Sequence, residues 1–346
     1  MATFEVCSEL YAETDFSTTD TTNGNSISKF TFIYPKENEK CKGGKQIVCS
    51  VEEEGIKLNF NGSGLNGADN HSNSHSNGTQ RITLNDIKNA SFDDCLADGN
   101  SVSKDSIETD KDGDLIVERR KKGVIEIEHL KSTKLDLVGL QIWRGALLLA
   151  DYILHNEKKF KNRKILELGS GVGLTSIVSS LYAREVVCTD INVGGLLELI
   201  QANITRNSNL KNPSCNVVVT ELDFKVQYAK YSDELKAQLQ DVEYVIAADV
   251  IYDDDITEAF VVTLENLLLE LPKLKGVYIA LEKRYVFTVE DMDSVAPSYE
   301  HFLRVFYRRN NRFGITRWKL MQIPLNFPRY FEYEKIKDLV LLKISN

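Results

Sequence analysis

Glu167-Leu168-Gly169-Ser170-Gly171-Val172-Gly173 follows the apolar pair Ile165-Leu166 with the spacing E-x-G-x-G-x-G. A strand entering a glycine-rich turn that opens a helix lets backbone N–H groups approach an anionic ligand closely. A dinucleotide fingerprint needs its third glycine one residue later, where Leu174 stands, which weakens that assignment. Asp190 closes the next strand-like run and is placed to accept hydrogen bonds from both hydroxyls of a ribose; NAD enzymes carry an acid at the same point. At Leu222-Asp223-Phe224 a carboxylate is available for an adenine amino group and a ring for the face of the base. Asp249, in Ala248-Asp249-Val250-Ile251-Tyr252, fits two roles equally: an acid facing a ligand, or an acid at a helix N-terminus, a site into which Asp253, Asp254 and Asp255 also extend.

The elements that must position these residues are legible from periodicity. From Lys164 the pattern predicts strands over 164–168, 185–189, 216–222, 244–248 and 276–281. Helices are expected between and after them over 174–182, 195–207, 232–240, 256–271 and 299–309, with further strands near 314–321 and 339–344. Alternation at this spacing predicts an α/β fold, a Rossmann-like, mostly parallel sheet with helices on both faces, binding ligands at the carboxyl ends of its strands. A helix over 143–154 leads into it. Leu115-Ile116-Val117 and Val124-Ile125-Glu126-Ile127-Glu128 flank Arg120-Lys121-Lys122-Gly123 and predict a hairpin. The basic run Arg119 to Lys122 is assigned to its turn rather than to a nuclear-import signal.

Earlier in the chain, strands are expected at Phe30-Thr31-Phe32-Ile33-Tyr34 and Ile47-Val48-Cys49-Ser50-Val51. The tract 59–80, dominated by Asn, Ser, Gly and His, cannot bury enough apolar surface to offset ordering entropy and is expected to be a flexible loop. The predicted organisation is a β-rich N-terminal extension, 1–114, and an α/β domain, 115–346, with the early strands roofing the acceptor side of its site. A formal net charge of -9 over 346 residues argues against a broad basic surface for nucleic acid and is compatible with a basic protein partner. Met1-Ala2-Thr3-Phe4-Glu5-Val6 lacks a secretory pattern, and no run is expected to reach membrane-spanning length, which predicts a soluble intracellular chain. Six scattered cysteines without C-x-x-C pairs, and histidines without ligand spacing, predict reduced thiols and no metal site.

Taken together, Ile142-Trp143-Arg144-Gly145-Ala146-Leu147, the glycine turn, Cys188-Thr189-Asp190, Asp249-Val250-Ile251-Tyr252-Asp253-Asp254-Asp255 and Leu281-Glu282-Lys283-Arg284 resemble the family 16 class I protein-lysine methyltransferases. That family carries [DE]-x-x-[YF] after its fourth core strand, here Asp249-Val250-Ile251-Tyr252. The resemblance implies a seven-stranded, mostly parallel sheet and S-adenosyl-L-methionine as cofactor. It implies a cofactor site drawn from Trp143, Glu167, Gly169, Ser170, Gly171, Gly173, Asp190, Ile191, Asp223, Phe224 and Ala248, with Asp249 and Tyr252 on the catalytic, acceptor side. The position of Phe224 is often tryptophan in the family; phenylalanine keeps a flat apolar face and loses an N–H donor. The resemblance also implies a protein substrate with an acceptor lysine, a non-histone nuclear protein that binds nucleic acids. The chain itself is expected to be a monomer in nucleus and cytoplasm, without direct nucleic-acid or membrane binding. Competing expectations are a base-methylating enzyme, disfavoured because Val250 and Ile251 are not the prolines of its usual motif, an NAD oxidoreductase, disfavoured by Leu174, and a catalytically silent binding module.

Overall fold

The computed structural model describes residues 5–13, 17–22, 24–36, 47–52, 55–60, 120–288, 293–312 and 317–346. The strands are β1 (Thr18–Asp20), β2 (Ser26–Ile33), β3 (Ile47–Glu52), β4 (Gly55–Phe60), β5 (Lys122–His129), β6 (Lys164–Leu168) and β7 (Glu185–Asp190). They continue with β8 (Asn216–Glu221), β9 (Tyr244–Ala248), β10 (Gly276–Glu282), β11 (Val286–Thr288), β12 (Asp293–Val295), β13 (Lys319–Ile323) and β14 (Leu339–Ser345). The main helices are α1 (Arg144–His155), α2 (Leu174–Ser180), α3 (Leu196–Arg206), α4 (Asp233–Leu239), α5 (Asp254–Glu270) and α6 (Pro297–Asn310).

The principal sheet runs β4-β3-β13-β14-β10-β9-β6-β7-β8. Its five central strands, β10 to β8, are parallel, and β14, β13, β3 and β4 join antiparallel. The seven strands from β13 to β8 form the mostly parallel sheet expected from sequence, and β3–β4 lengthen its edge. The chain runs outward from β6 through β7 to β8 and in the other direction from β9 to β10, so the switch in strand order lies between β6 and β9. A crevice for a ligand belongs at the carboxyl ends of those two strands.

Alternation along each strand divides the core. Ile165, Ile246, Tyr278 and Ala280 face a cluster with Leu147 and Leu148 of α1 and Ile177 and Val178 of α2. Their neighbours Leu166, Leu168, Val245, Ala247, Val277 and Ile279 face Phe260 and Leu264 of α5 and Phe302 and Val305 of α6. A strand buried on both faces needs this nearly continuous apolar run.

A second sheet, β1-β2-β5, covers the outside of the first helix layer. Phe30 and Phe32 of β2 and Ile125 and Ile127 of β5 share the cluster of α1 and α2, so α1 is apolar nearly all round because it is covered from both sides. The open edge of β5 is closed by side chains. Asn203 of α3 and Asn207 just after it each accept from and donate to the backbone of Glu128 and Glu126 respectively, at 2.8–2.9 Å. Two carboxamides thus mimic a neighbouring strand and satisfy an edge that would otherwise invite pairing.

Several expectations are corrected here. Lys122 and Gly123 lie inside β5 rather than in a hairpin turn, and β5 pairs over its full length with β2, from Ser26↔His129 to Ile33↔Lys122. Gly123 is there because Phe32 packs over it: a Cβ at Gly123 would sit 2.4 Å from the ring. Leu115-Ile116-Val117, Arg119, residues 61–80 and the expected 114/115 boundary fall outside the described residues, while Asn59 and Phe60 belong to β4. The apolar residues Phe30 and Phe32 of β2 and Ile125 and Ile127 of β5 pack on the helix layer, and no residue of either strand lines the pocket described below. The run Leu135–His155 is long and apolar enough to cross a membrane by length and composition, contrary to expectation, and 72% of that window is buried inside the fold. Cys7, Cys188 and Cys215 are free thiols, and no cluster of metal-ligating side chains occurs among the described residues.

Candidate active site

The glycine turn joins β6 to α2 with Gly169, Gly171 and Gly173 at φ of +64°, +53° and +86°. At Gly169 a Cβ would also sit 2.6 Å from Cγ1 of Val250, and at Gly171 one would sit 3.1 Å from the carbonyl of Gly139. Backbone conformation and space both demand glycine there. Ser170 is tied to β7 in both directions: its N–H donates to the carbonyl of Thr189 at 2.9 Å, and its hydroxyl accepts from the N–H of Thr189 at 3.1 Å. Glu167, fully buried, accepts from the hydroxyl of Ser176 on α2. Burial pushes its carboxyl up to about 7, with hydrogen bonds from Ser176, Thr175 and Ser170 opposing and the charge of Asp190 adding to the rise. Glu167 therefore pins the helix to the strand beneath the turn.

Asp190 ends β7. Its Oδ2 accepts from the N–H of Gly171 at 2.8 Å and its Oδ1 from its neighbour Ile191 at 2.8 Å. Each oxygen keeps a second lone pair for a ligand donor. Burial raises this carboxyl to about 6, with the two backbone donors pulling it back. Ile191 is 37% exposed at the rim. At the end of β8, Asp223 accepts from the N–H of Lys225 at 2.8 Å, which fixes the turn, and Phe224 leans on Phe260 of α5 with ring centroids 5.3 Å apart.

The end of β9 is built differently. Asp249 sits in the left-handed region at φ +51°, which aspartate tolerates better than most residues. Its Oδ2 accepts from the N–H of Gly145, the second residue of α1, at 2.6 Å, and its Oδ1 from the N–H of Glu282 at 3.0 Å. The N-cap of α1 is Trp143, whose side chain makes no capping bond. Asp249 supplies that cap from a strand far along the sequence, placing negative charge at the helix N-terminus. It also lines the pocket, so the two roles left open by the sequence meet in one residue, on a helix other than the one expected. The cap of α5 is Asp253, which accepts from the N–H of Ile256 at 3.0 Å. Burial raises the carboxyl of Asp249, opposed chiefly by the positive charge of Arg284. Tyr252, half-buried, has its phenol pushed up to about 12 by burial and by the charges of Asp190 and Asp253. Beside them Arg144 and Glu282 form an ion pair at 2.6 Å with side chains only 4% and 13% exposed.

These strand ends line one pocket. Trp143, Glu167, Gly169, Ser170, Gly171, Asp190, Ile191, Asp223, Phe224, Ala248, Asp249 and Tyr252 all face it, and Gly173 lies one step behind, below Ile200. Sequence reasoning missed its other wall, the segment from Asp136 to Ile142, together with Val193, Leu196 and Ile256. Gly139 was the available signal, since a glycine just before an aromatic-arginine block suggests a close backbone approach; Gly139 stands against Leu196, 2.9 Å from where its Cβ would be. The nitrogen of the Trp143 indole donates to the carbonyl of Val138 at 3.0 Å and the guanidinium of Arg284 lies 4.6 Å from the ring centroid, so Trp143 is held at the junction of both walls.

The lining fits S-adenosylmethionine. A cradle that a Cβ would fill at Gly169 and Gly171 leaves room for close approach to backbone, a carboxylate suits the ribose hydroxyls, and an aromatic face suits the base. A family model described as lysine methyltransferase matches residues 124–296. Methyltransferase-like protein 22 of Mus musculus is 37% identical over 249 residues, covering 68% of this chain and 63% of that protein. The protein of the same name from Homo sapiens is 37% identical over 232 residues, covering 64% and 57%. The protein-lysine N-methyltransferase EEF2KMT of Mus musculus is 31% identical over 216 residues, covering 60% and 58%. The chain spans somewhat under two thirds of the length of these curated relatives. With half of its length matched, from within β5 to the residue before α6, the chain belongs to the lysine methyltransferase family.

Proposed function

We propose that this chain transfers a methyl group from S-adenosylmethionine to the side-chain nitrogen of a lysine in another protein, a non-histone nuclear protein that binds nucleic acids. The observation that carries this reading is the sharing of one pocket by two strand ends of different chemistry: a glycine cradle with Asp190 on β6 and β7, and Asp249 with Tyr252 on β9. Bound there, the cofactor supplies an electrophilic methyl on a sulfonium, so the protein has chiefly to align a nucleophile and exclude water. A lysine must first lose its proton, which at neutral pH costs about 4–5 kcal/mol. Burial in a channel beside Trp143 and Tyr252 disfavours the ammonium and lowers that cost. Asp249, fixed by two backbone donors, keeps lone pairs that orient an amine N–H; Tyr252, neutral at physiological pH, shapes the channel.

A net charge of -9 favours a basic protein over a polyanion as acceptor. The name of the mouse relative as a protein-lysine N-methyltransferase supports lysine as the acceptor. We further propose, on the family resemblance alone, that the chain acts in nucleus and cytoplasm and as a monomer. The test is a thermal shift with S-adenosylmethionine, followed by incubation with labelled cofactor and nuclear extract before and after nuclease treatment. The expected outcome is a raised melting temperature and label that survives nuclease in the protein fraction. Label lost with nucleic acid contradicts the proposal, and no shift at saturating cofactor favours a silent binding module.

A further inference from the structure

The wall that sequence reasoning missed is itself held from outside, by residues 5–13. Val6 and Thr133 exchange backbone hydrogen bonds at 2.7 and 3.0 Å. Gln141, 2% exposed, donates to the carbonyl of Val6 at 2.8 Å and to the hydroxyl of Thr133 at 2.7 Å, and accepts from the N–H of Ser8 at 2.8 Å. The N–H of Ile142 donates to the phenol oxygen of Tyr11 at 2.8 Å. The ring of Tyr11 stacks on buried His129, with centroids 4.8 Å apart and planes 8° apart, and Leu10 is fully buried. Between these fastenings runs the segment whose Gly139 carbonyl faces Gly171 across the cofactor turn.

A buried carboxamide with three partners, two of them on residues more than a hundred positions away, is more than a loop needs for itself. Released from it, the wall would keep its packing of Leu137 and Leu140 on Leu196 and the bonds of Leu140 to Leu130 and of Val138 to Trp143, but would lose every fastening at Gln141 and Ile142 that comes from residues 5–13. Glu9, exposed on the same segment, acts electrostatically on both Asp249 and Glu282, which sets this segment beside the acceptor side as well.

We propose that residues 5–13 form a strap that positions the Asp136–Ile142 wall of the cofactor pocket, with Gln141 and Tyr11 as positioning residues that act through it. The strap is a fixed part of the binding site, so its removal weakens the cofactor without touching any group that contacts it. This rests on the cofactor reading above, and the test separates the two.

The full chain is compared with Gln141→Leu, Tyr11→Phe, a deletion of residues 1–13, and the deletion combined with Gln141→Leu. Amide hydrogen exchange is followed without ligand, and S-adenosylhomocysteine affinity is measured by calorimetry. Expected are faster exchange across 131–143 with β6 and β7 unchanged, and affinity weaker by about fivefold for Tyr11→Phe, the size of the one hydrogen bond it removes, and by more for Gln141→Leu, which removes three. The deletion should weaken affinity at least as much as either substitution, and Gln141→Leu should add nothing once the strap is gone. Unchanged exchange and affinity in both substitutions, or a full effect of Gln141→Leu in the deleted chain, would overturn the strap. If the wild type fails to bind S-adenosylhomocysteine, the cofactor reading falls, and the exchange across 131–143 still decides the strap.

Discussion

The two halves of the pocket use one device in two ways. On the side proposed for the cofactor Asp190 holds two backbone N–H groups, those of Gly171 and its own neighbour Ile191; on the side proposed for the acceptor Asp249 holds two more, those of Gly145 and Glu282. Asp190 joins a turn to the strand beside it. Asp249 joins β9, the end of β10 and the first turn of α1, and does so from a left-handed backbone. The first carboxylate prepares a surface for a ligand, whereas the second is also a strut of the fold. Equal bonding in the resting protein therefore predicts unequal consequences when each is removed.

The largest effect is expected at Asp249. Asp249→Ala leaves two part-buried donors without this acceptor, a loss of about 2–4 kcal/mol at about 1–2 each, visible in denaturant unfolding, and methyl transfer should vanish with it. Asp249→Asn keeps one carbonyl acceptor and the left-handed conformation, so most of the stability should return without the activity. Equal stability of the Ala variant and the wild type would remove the strut. At Asp190 the effect should move from folding to binding. Asp190→Ala should change stability less, by about 1–2 kcal/mol, since only the donor of Gly171 is part-buried and that of Ile191 is exposed, but should weaken S-adenosylmethionine by about 10- to 100-fold through lost charge-assisted hydrogen bonds.

Gly145→Ala sharpens the comparison from the helix side. Its Cβ would sit 2.5 Å from Oδ2 of Asp249 and 3.0 Å from the carbonyl of Ala280, so a loss of about 1–3 kcal/mol is expected from overpacking, with the acceptor side disturbed and cofactor affinity nearly kept. A pH series tests the cofactor side. The Glu167 carboxyl is raised to about 7 by burial, so the folded chain holds that proton more tightly than the unfolded one. Its contribution to stability is present at acid pH and is lost as pH rises from the unfolded value of about 4.3 to about 7, by up to about 1.4 kcal/mol per unit. Glu167→Gln should flatten that slope in melting temperature. The smallest effect is expected for Phe224→Trp, which keeps a flat apolar face: a change in cofactor affinity of about threefold or less, measured by calorimetry.

Contrast between the two sides also governs what the sequence disclosed. The glycine turn was legible because its partners are near in sequence: Gly171 meets Asp190 only 19 positions on, and strand ends follow one another in a regular α/β rhythm. The Asp249 bond to Gly145 spans 104 positions and the Gln141 bond to Ser8 spans 133, and closures of that length leave no periodicity behind. β5 misled for a related reason. Its basic residues and glycine resemble a local turn, yet the glycine marks where a distant ring, Phe32, lies on the strand. Even Leu135–His155 carries an ambiguous pattern, because a helix covered on both sides by protein is as apolar as one meant for lipid.

The most direct measurement is mass spectrometry of proteins from cell extract after incubation with the full-length chain and S-adenosylmethionine carrying a deuterated methyl group. The account predicts label on the side-chain nitrogen of lysine in a discrete protein, absent with Asp249→Asn and restored toward wild type in Asp190→Ala by raising the cofactor concentration. Label on arginine, on nucleic acid, or on lysine with Asp249→Asn as active as the wild type would contradict it.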